Sequence, residues 1–449
     1  MEIKKNIHIP LTALLFGLLL FPCQILGDPF PEELIARAKE FVDLMVKEEF
    51  SRAVENFDSV MSKAMPEEKL KEVWQTVIKQ AGPFKKQTGT RTEAVPKFDI
   101  VYVTCQFEKT DLDIKVVFNR EKQITGLWFA PAQKEYTTPE YSELNAFKEK
   151  EVVVGSGEWA LPGTLTLPEG KGPFPAIVLV HGSGPNDRDE SIGPNKPFRD
   201  LAWGLASQNI AVLRYEKRTR VHSQKLKNFE GKFTVKEETI DDALAAVHLL
   251  REVEEIDERK ICVLGHSLGG MLAPRIGLLD TEIAGFIILA GTTRPVEEVM
   301  LEQVKYIISV DGKITENEKA RLNEIEKAVE KVKNLKESAS HSGQENLLGA
   351  SPEYWLDLRS YNPAQTAKKV RQPMLILQGG RDYQVTEDDF DGWKNALSSR
   401  SDVEFKFYPK LNHLFIEGEG KSTPAEYSQA GHVAKYVIDD ITAWIKSQI

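Results

Sequence analysis

The sequence predicts an α/β fold: a mostly parallel sheet with helices on both faces, carrying a helical insertion and preceded by a small α+β domain. Three observations carry this. From Glu151 onward, apolar runs such as Ala176–Val180, Phe286–Ala290 and Met374–Gln378 alternate with segments of helical spacing. The runs are continuously apolar, as strands buried on both faces are. One of them, Ile261–Leu264, leads straight into Gly265-His266-Ser267-Leu268-Gly269 and then a helix-compatible segment to Leu279. That order is strand, sharp turn, helix, with a serine at the turn.

A chain of 449 residues has room for two domains and a full-sized core. Its net charge of −10 and its lack of a Lys/Arg cluster argue against nucleic-acid binding. At the N-terminus, Lys4 and Lys5 precede an apolar run from Leu11 to Phe21, and small Gly27 stands before Asp28. This is the pattern of a secretory signal peptide over residues 1–27, and it predicts export. The run is too short for a comfortable membrane span, so no stable span is expected after cleavage. Cys23 follows Pro22, whereas lipid attachment wants a small residue before the cysteine; a lipid anchor is the weaker expectation. The remaining cysteines, Cys105 and Cys262, sit in apolar strand patterns far apart and read as buried free thiols. With no CxxC, no HExxH and no histidine pair at ligand spacing, no metal is expected.

Residues 28–131 read as the small domain. Leu34, Ala38, Phe41, Val42 and Met45 recur at helical spacing, and Pro66 with Glu67 and Glu68 opens a second helix whose stripe is Leu70, Val73, Trp74, Val77 and Ile78. The period then becomes two, in Val101–Phe107, Leu112–Phe118 and Ile124–Phe129, which predicts an antiparallel meander with one buried face. Polar residues 132–149 read as a linker, and 150–449 as the larger domain. Within it, residues 292–363 hold no strand pattern. Thr315 and Glu318 there form a capping box, followed by an apolar stripe of Leu322, Ile325, Val329, Val332 and Leu335 on a charged helix. Such a helix either packs one face on its own domain or serves as a lid or dimer contact.

The chemistry centres on Ser267. The pentapeptide alone is weak, since roughly one chain in ten of this length carries it by chance. Three features fall into register with it. His181-Gly182-Ser183-Gly184 follows a buried strand, where backbone N–H groups can hold the oxyanion of a tetrahedral intermediate; the N–H groups of Leu268 and Ser183 are the candidates. Asp382 stands just past the strand Met374–Gln378 and can orient a histidine. His413 follows the strand Val403–Tyr408 and can serve as base and then acid. Each lies at a strand's carboxyl end, where ligands bind in such sheets. The chain order Ser, Asp, His separates this arrangement from the other common serine hydrolases. Of the other histidines, His266 is expected to point away from the nucleophile and His181 to brace the oxyanion loop. Tyr383, Tyr354 and Trp355 stand near strand ends as candidate walls of a substrate pocket or as core.

Residues 150–449 resemble an α/β hydrolase. The runs His181–Asp189, Leu213–Arg218, Tyr354–Leu358, Gly379–Val385 and Leu411–Phe415 are similar to those of bacterial carboxylesterases in which a small cystatin-like domain precedes the hydrolase. The resemblance implies hydrolysis of short-chain acyl esters, small-molecule substrates, without a cofactor, and its triad falls on the same Ser267, Asp382 and His413. The long charged helix of the insertion departs from the pattern and leaves acyl preference open. A thioesterase, peptidase or carbohydrate deacetylase uses the same triad, and an exported binding protein on this scaffold is the reading from another class.

Overall fold

A computed structural model describes residues 31–95, 98–132, 136–227, 233–310, 312–336 and 346–449. The expected signal segment and Cys23 lie outside them. The chain divides into two compact units, one ending at Glu135 and the other running from Tyr136 to Ile449.

Among the described residues the smaller unit has four helices, Glu32–Val46, Phe50–Val54, Ser59–Ala64 and Glu67–Ala81. Its sheet is an antiparallel meander of β1 (Phe84–Val95), β2 (Phe98–Phe107), β3 (Asp111–Phe118) and β4 (Ile124–Pro131), in that order. The period-two residues Val101, Val103, Cys105, Ile114 and Val116 turn to the helices and form one core with Leu34, Phe41, Leu70 and Trp74. Strand β1 is absent from the sequence reading. It is polar almost throughout and sits at the sheet edge, paired with β2 alone.

Among the described residues the larger unit has eight strands. They are β5 (Phe147–Val154), β6 (Leu161–Pro168), β7 (Phe174–Val180), β8 (Ala211–Tyr215), β9 (Ile256–His266), β10 (Gly285–Leu289), β11 (Met374–Gly379) and β12 (Val403–Tyr408). Their spatial order is β12-β11-β10-β9-β7-β8-β6-β5. Strands β7 to β12 are parallel, while β5 and β6 extend one side antiparallel. Alternation along β7 explains the two-faced core. Ala176, Val178 and Val180 face one helical layer, and Ile177 and Leu179 the other. Fully burying each such aliphatic side chain is worth about 1.5–3 kcal/mol, which is why these runs are legible as strands.

Residues 136–146, expected as linker, are bound into the larger unit. The Tyr136 hydroxyl donates to Asp200 (2.7 Å), that of Tyr141 to the Val433 carbonyl (2.8 Å), and Ser207 Oγ accepts from the Glu143 N–H (2.9 Å). The insertion supplies helices Val296–Ser309, Glu316–Lys333 and Pro352–Arg359. The second begins at the expected capping box, Thr315 with Glu318. Its apolar stripe is used internally. Ile325 and Val329 pack on Val304 and Ile308 of the preceding helix, and Val332 joins the main core. Among the described residues no helix is long and apolar enough to cross a membrane.

Candidate active site

Strand β9 ends at His266, and helix Leu268–Leu279 starts one residue later. Ser267 therefore spans the whole turn alone, at φ 54° and ψ −115°. A non-glycine residue there costs about 1–3 kcal/mol and persists only where its surroundings impose it. The flanking glycines allow it. A Cβ on Gly265 would lie 2.2 Å from the Gly269 backbone, and one on Gly269 would lie 2.3 Å from the Val180 carbonyl oxygen. The Ser267 N–H is held by the Leu289 carbonyl at 2.9 Å.

At the end of β11, Asp382 is turned inward. One carboxylate oxygen accepts the N–H groups of Gln384 (2.7 Å) and Val385 (3.0 Å), and the other takes Nδ1 of His413 at 2.6 Å. Both side chains are buried. With Nδ1 committed as donor to a carboxylate, Nε2 of His413 carries the lone pair. The His413 loop is tied to the elbow through His266, whose Nε2 lies 3.0 Å from the His413 carbonyl oxygen. The two imidazole centroids are 4.6 Å apart. From the other side comes the loop after β7: a Cβ on Gly182 would stand 3.0 Å from that of Ser267. Ser183 is exposed, and Leu268 is the first residue of its helix, where an N–H has no partner within the helix.

Residues 173–420 match a family described as serine aminopeptidase, S33, and residues 38–127 match one described only as a protein of unknown function (DUF3887). Over 406 residues the chain is 41% identical to Esterase EstD of Thermotoga maritima, covering 90% of this chain and 93% of that one. The chain belongs to the bacterial α/β-hydrolase esterases. Among solved structures, it is also similar to an esterase of Pyrococcus furiosus (15% identical, 71% of this chain and 96% of that one, TM-score 0.44) and to the acylaminoacyl peptidase of Pyrococcus horikoshii (14% identical, 83% and 57%, TM-score 0.46).

Beneath the elbow the hydrolase carries a buried polar network. Glu190, itself at φ 51°, accepts the Gly182 N–H at 2.6 Å and His266 Nδ1 at 2.8 Å. Both ring nitrogens of His266 thus face acceptors, a carboxylate and a carbonyl, which the doubly protonated ring satisfies. Burial opposes that charge, but Glu190 and the His413 carbonyl outweigh it and hold the His266 pKa above its ordinary value. Burial likewise opposes the charge of Glu190, yet His266 and the Gly182 N–H hold its carboxyl below the usual range. On the opposite side of Gly182, buried Lys217 donates to its carbonyl at 2.6 Å and pairs with Glu238 at 2.9 Å. His181 braces the same loop through the Asp187 carbonyl (3.0 Å), and burial pushes its pKa down to about 4, so the ring is neutral.

The aromatic candidates divide. Trp355 is 2% exposed, packed in the main core with its indole N–H on the Leu347 carbonyl (2.6 Å); it is core rather than a pocket wall. The Tyr354 hydroxyl is committed to Glu238 at 2.5 Å. Tyr383 is enclosed between Tyr306 of the insertion (5.0 Å, stacked) and Tyr427 (6.4 Å). Cys105 and Cys262 are buried free thiols, pushed up to about 12 by burial. Among the described residues no group of three or more His, Cys, Asp or Glu is placed to hold a metal ion. Glu190, Lys217 and Glu238 are the site residues the sequence reading missed. Lys217 lies inside one of the runs that resemble carboxylesterases, and Glu190 directly follows another.

Proposed function

We propose that the enzyme is an exported serine carboxylesterase that hydrolyses short-chain acyl esters through Ser267, His413 and Asp382. What supports this is the strained Ser267 at the elbow, together with an Asp382–His413 pair tied to the neighbouring His266 through the His413 carbonyl. Ser267 Oγ attacks the ester carbonyl carbon while His413 Nε2 takes its proton. The carbonyl oxygen becomes an oxyanion facing the N–H groups of Leu268 and Ser183. Collapse expels the alcohol with the proton from His413 and leaves an acyl-serine. Water, deprotonated by the same nitrogen, then releases the acid. Asp382 stabilises the imidazolium in each half.

Ester rather than aminopeptide substrates are favoured by the carboxylates around the elbow. An aminopeptidase needs one free to receive a substrate ammonium group. Glu190, Glu238 and Asp382 are committed instead to His266 and Gly182, to Lys217 and Tyr354, and to His413. The short-chain preference rests on the resemblance, and export on the Lys4–Gly27 pattern. Hydrolysis of p-nitrophenyl acetate and butyrate by wild type and by Ser267→Ala is the test. Loss of turnover in the variant is expected, and equal turnover rejects the assignment.

A further inference from the structure

We infer that Lys217 is a positioning residue that sets the direction of the Ser183 N–H, and that the insertion reaches it through Tyr354 and Glu238; this rests on the esterase reading above. The reason lies in one peptide plane. The Gly182 carbonyl and the Ser183 N–H belong to the same amide, and in a trans amide they point to opposite sides. Whatever fixes the carbonyl fixes the N–H. Lys217 Nζ holds that carbonyl at 2.6 Å, with Asn186 Nδ2 adding a longer bond at 3.2 Å. The Lys217 N–H also binds the Asn186 carbonyl (3.1 Å), so side chain and backbone grip one loop.

Glycine at 182 makes such a grip necessary. It fits because a Cβ would press on Ser267 and Glu190, but glycine also gives the chain the freedom to rotate this amide. An oxyanion donor is useful only if it is oriented before charge develops. Lys217 is itself held. Glu238 pairs with it at 2.9 Å, and the other Glu238 oxygen accepts the Tyr354 hydroxyl at 2.5 Å. Tyr354 lies on helix Pro352–Arg359 of the insertion. A continuous chain of charge-assisted hydrogen bonds thus runs from the insertion to the amide beside the nucleophile.

The test uses the double variant Lys217→Met/Glu238→Gln, which removes the donor without stranding a buried carboxylate, and Tyr354→Phe. Two inhibitors separate the states. A trifluoromethyl ketone adds Ser267 and places an oxyanion in the hole; the matching methyl ketone binds as an uncharged ground-state mimic. In the double variant, kcat/KM and trifluoromethyl ketone affinity are expected to fall together by about 10²-fold, as on loss of one oxyanion donor. Methyl ketone affinity is expected to hold. Tyr354→Phe should move the same two quantities together by a smaller factor. Wild-type trifluoromethyl ketone affinity in both folded variants overturns the inference, as does an equal loss of methyl ketone affinity. Should the double variant not fold, Tyr354→Phe decides alone by the same two outcomes. Failure of the esterase reading shows elsewhere, as full turnover by Ser267→Ala with Lys217 intact.

Discussion

Replacing Glu190 probes whether the buried charge under the elbow matters or only its hydrogen bonds. In Glu190→Ala the Gly182 N–H and the His266 Nδ1–H both lose their acceptor, in a site where Glu190 is 2% and His266 4% exposed. A buried ion pair broken on one side costs about 3–5 kcal/mol. A unit of this size loses roughly 2–4 °C of Tm per kcal/mol, so the fall is of order 10 °C. Glu190→Gln is different. Its amide oxygen can accept the Gly182 N–H, and its NH2 can donate to Nδ1 of a neutral His266 that keeps its Nε2–H on the His413 carbonyl. Every polar atom then has a partner, and the expected cost at pH 8 is about 1–2 kcal/mol.

The two variants also diverge with pH. In wild type the His266 pKa is raised, so the folded state takes up this proton at least as readily as the unfolded one. The resulting stability is complete below about pH 6.5 and is lost only as pH rises through the folded pKa. Without the Glu190 charge, burial dominates and lowers the His266 pKa. The unfolded state then binds the extra proton, and stability falls as pH drops through about 6.5. The gap between wild type and Glu190→Gln is therefore expected to widen from pH 8 to pH 5.5. Denaturant unfolding of the larger unit, followed at pH 8, 6.5 and 5.5, measures it. A gap that stays constant refutes the charged His266–Glu190 pair.

Asp382→Asn should leave the fold intact and cut kcat by about 10⁴-fold, because an amide facing Nδ1 selects the wrong tautomer of His413; steady-state kinetics decides it. His181 is buried and its pKa is pushed down to about 4. Between the unfolded pKa near 6.5 and that value only the unfolded state binds the proton, so stability is lost as pH falls, by about 3 kcal/mol in all. His181→Gln should flatten that slope in unfolding curves taken from pH 7 to 4. Gly269→Ala places a methyl 2.3 Å from the Val180 carbonyl oxygen, against backbone that cannot yield cheaply. Its Tm should fall by several degrees, with Ser267 labelling by a fluorophosphonate slowed as the elbow shifts.

The central strands of the parallel sheet were legible because burial on both faces leaves only apolar residues, as in Ala176–Val180. The candidate positions Ser267 and Asp382 were legible because each follows such a strand, and His413 because it follows β12, a partly exposed edge strand. Strand β1 was not. Its sequence FKKQTGTRTEAV carries no apolar face, and β2 alone pairs with it. The charged network was illegible for another reason: its partners are far apart in sequence. Glu190 and His266 are separated by 76 residues, Gly182 and Lys217 by 35, and Glu238 and Tyr354 by 116. A glutamate in a polar loop looks the same in sequence whether it is solvated or holds a buried imidazolium. Aromatic residues mislead in the opposite direction. Trp355 stands in a run that resembles carboxylesterases, yet packing on the core accounts for it.

Charge beneath the elbow has a physical rationale that apolar packing lacks. A nucleophile elbow needs a loop whose backbone polar groups face a defined way, and an apolar floor exerts no pull on an amide. The polar groups on the buried side of the loop are taken up in pairs. Glu190 receives the Gly182 N–H, Lys217 donates to its carbonyl, and Asp187 receives His181. With those atoms satisfied from below, rotating the 182–183 amide breaks a charge-assisted bond before any substrate arrives. The same arrangement holds His266 in place. Its ring is the strut between Glu190 and the His413 carbonyl, so one buried ion pair locates both the loop after β7 and the His413 loop. Strain at Ser267 can persist because its N–H is held by the Leu289 carbonyl and its carbonyl by the Met271 N–H, bonds that would have to break for it to relax.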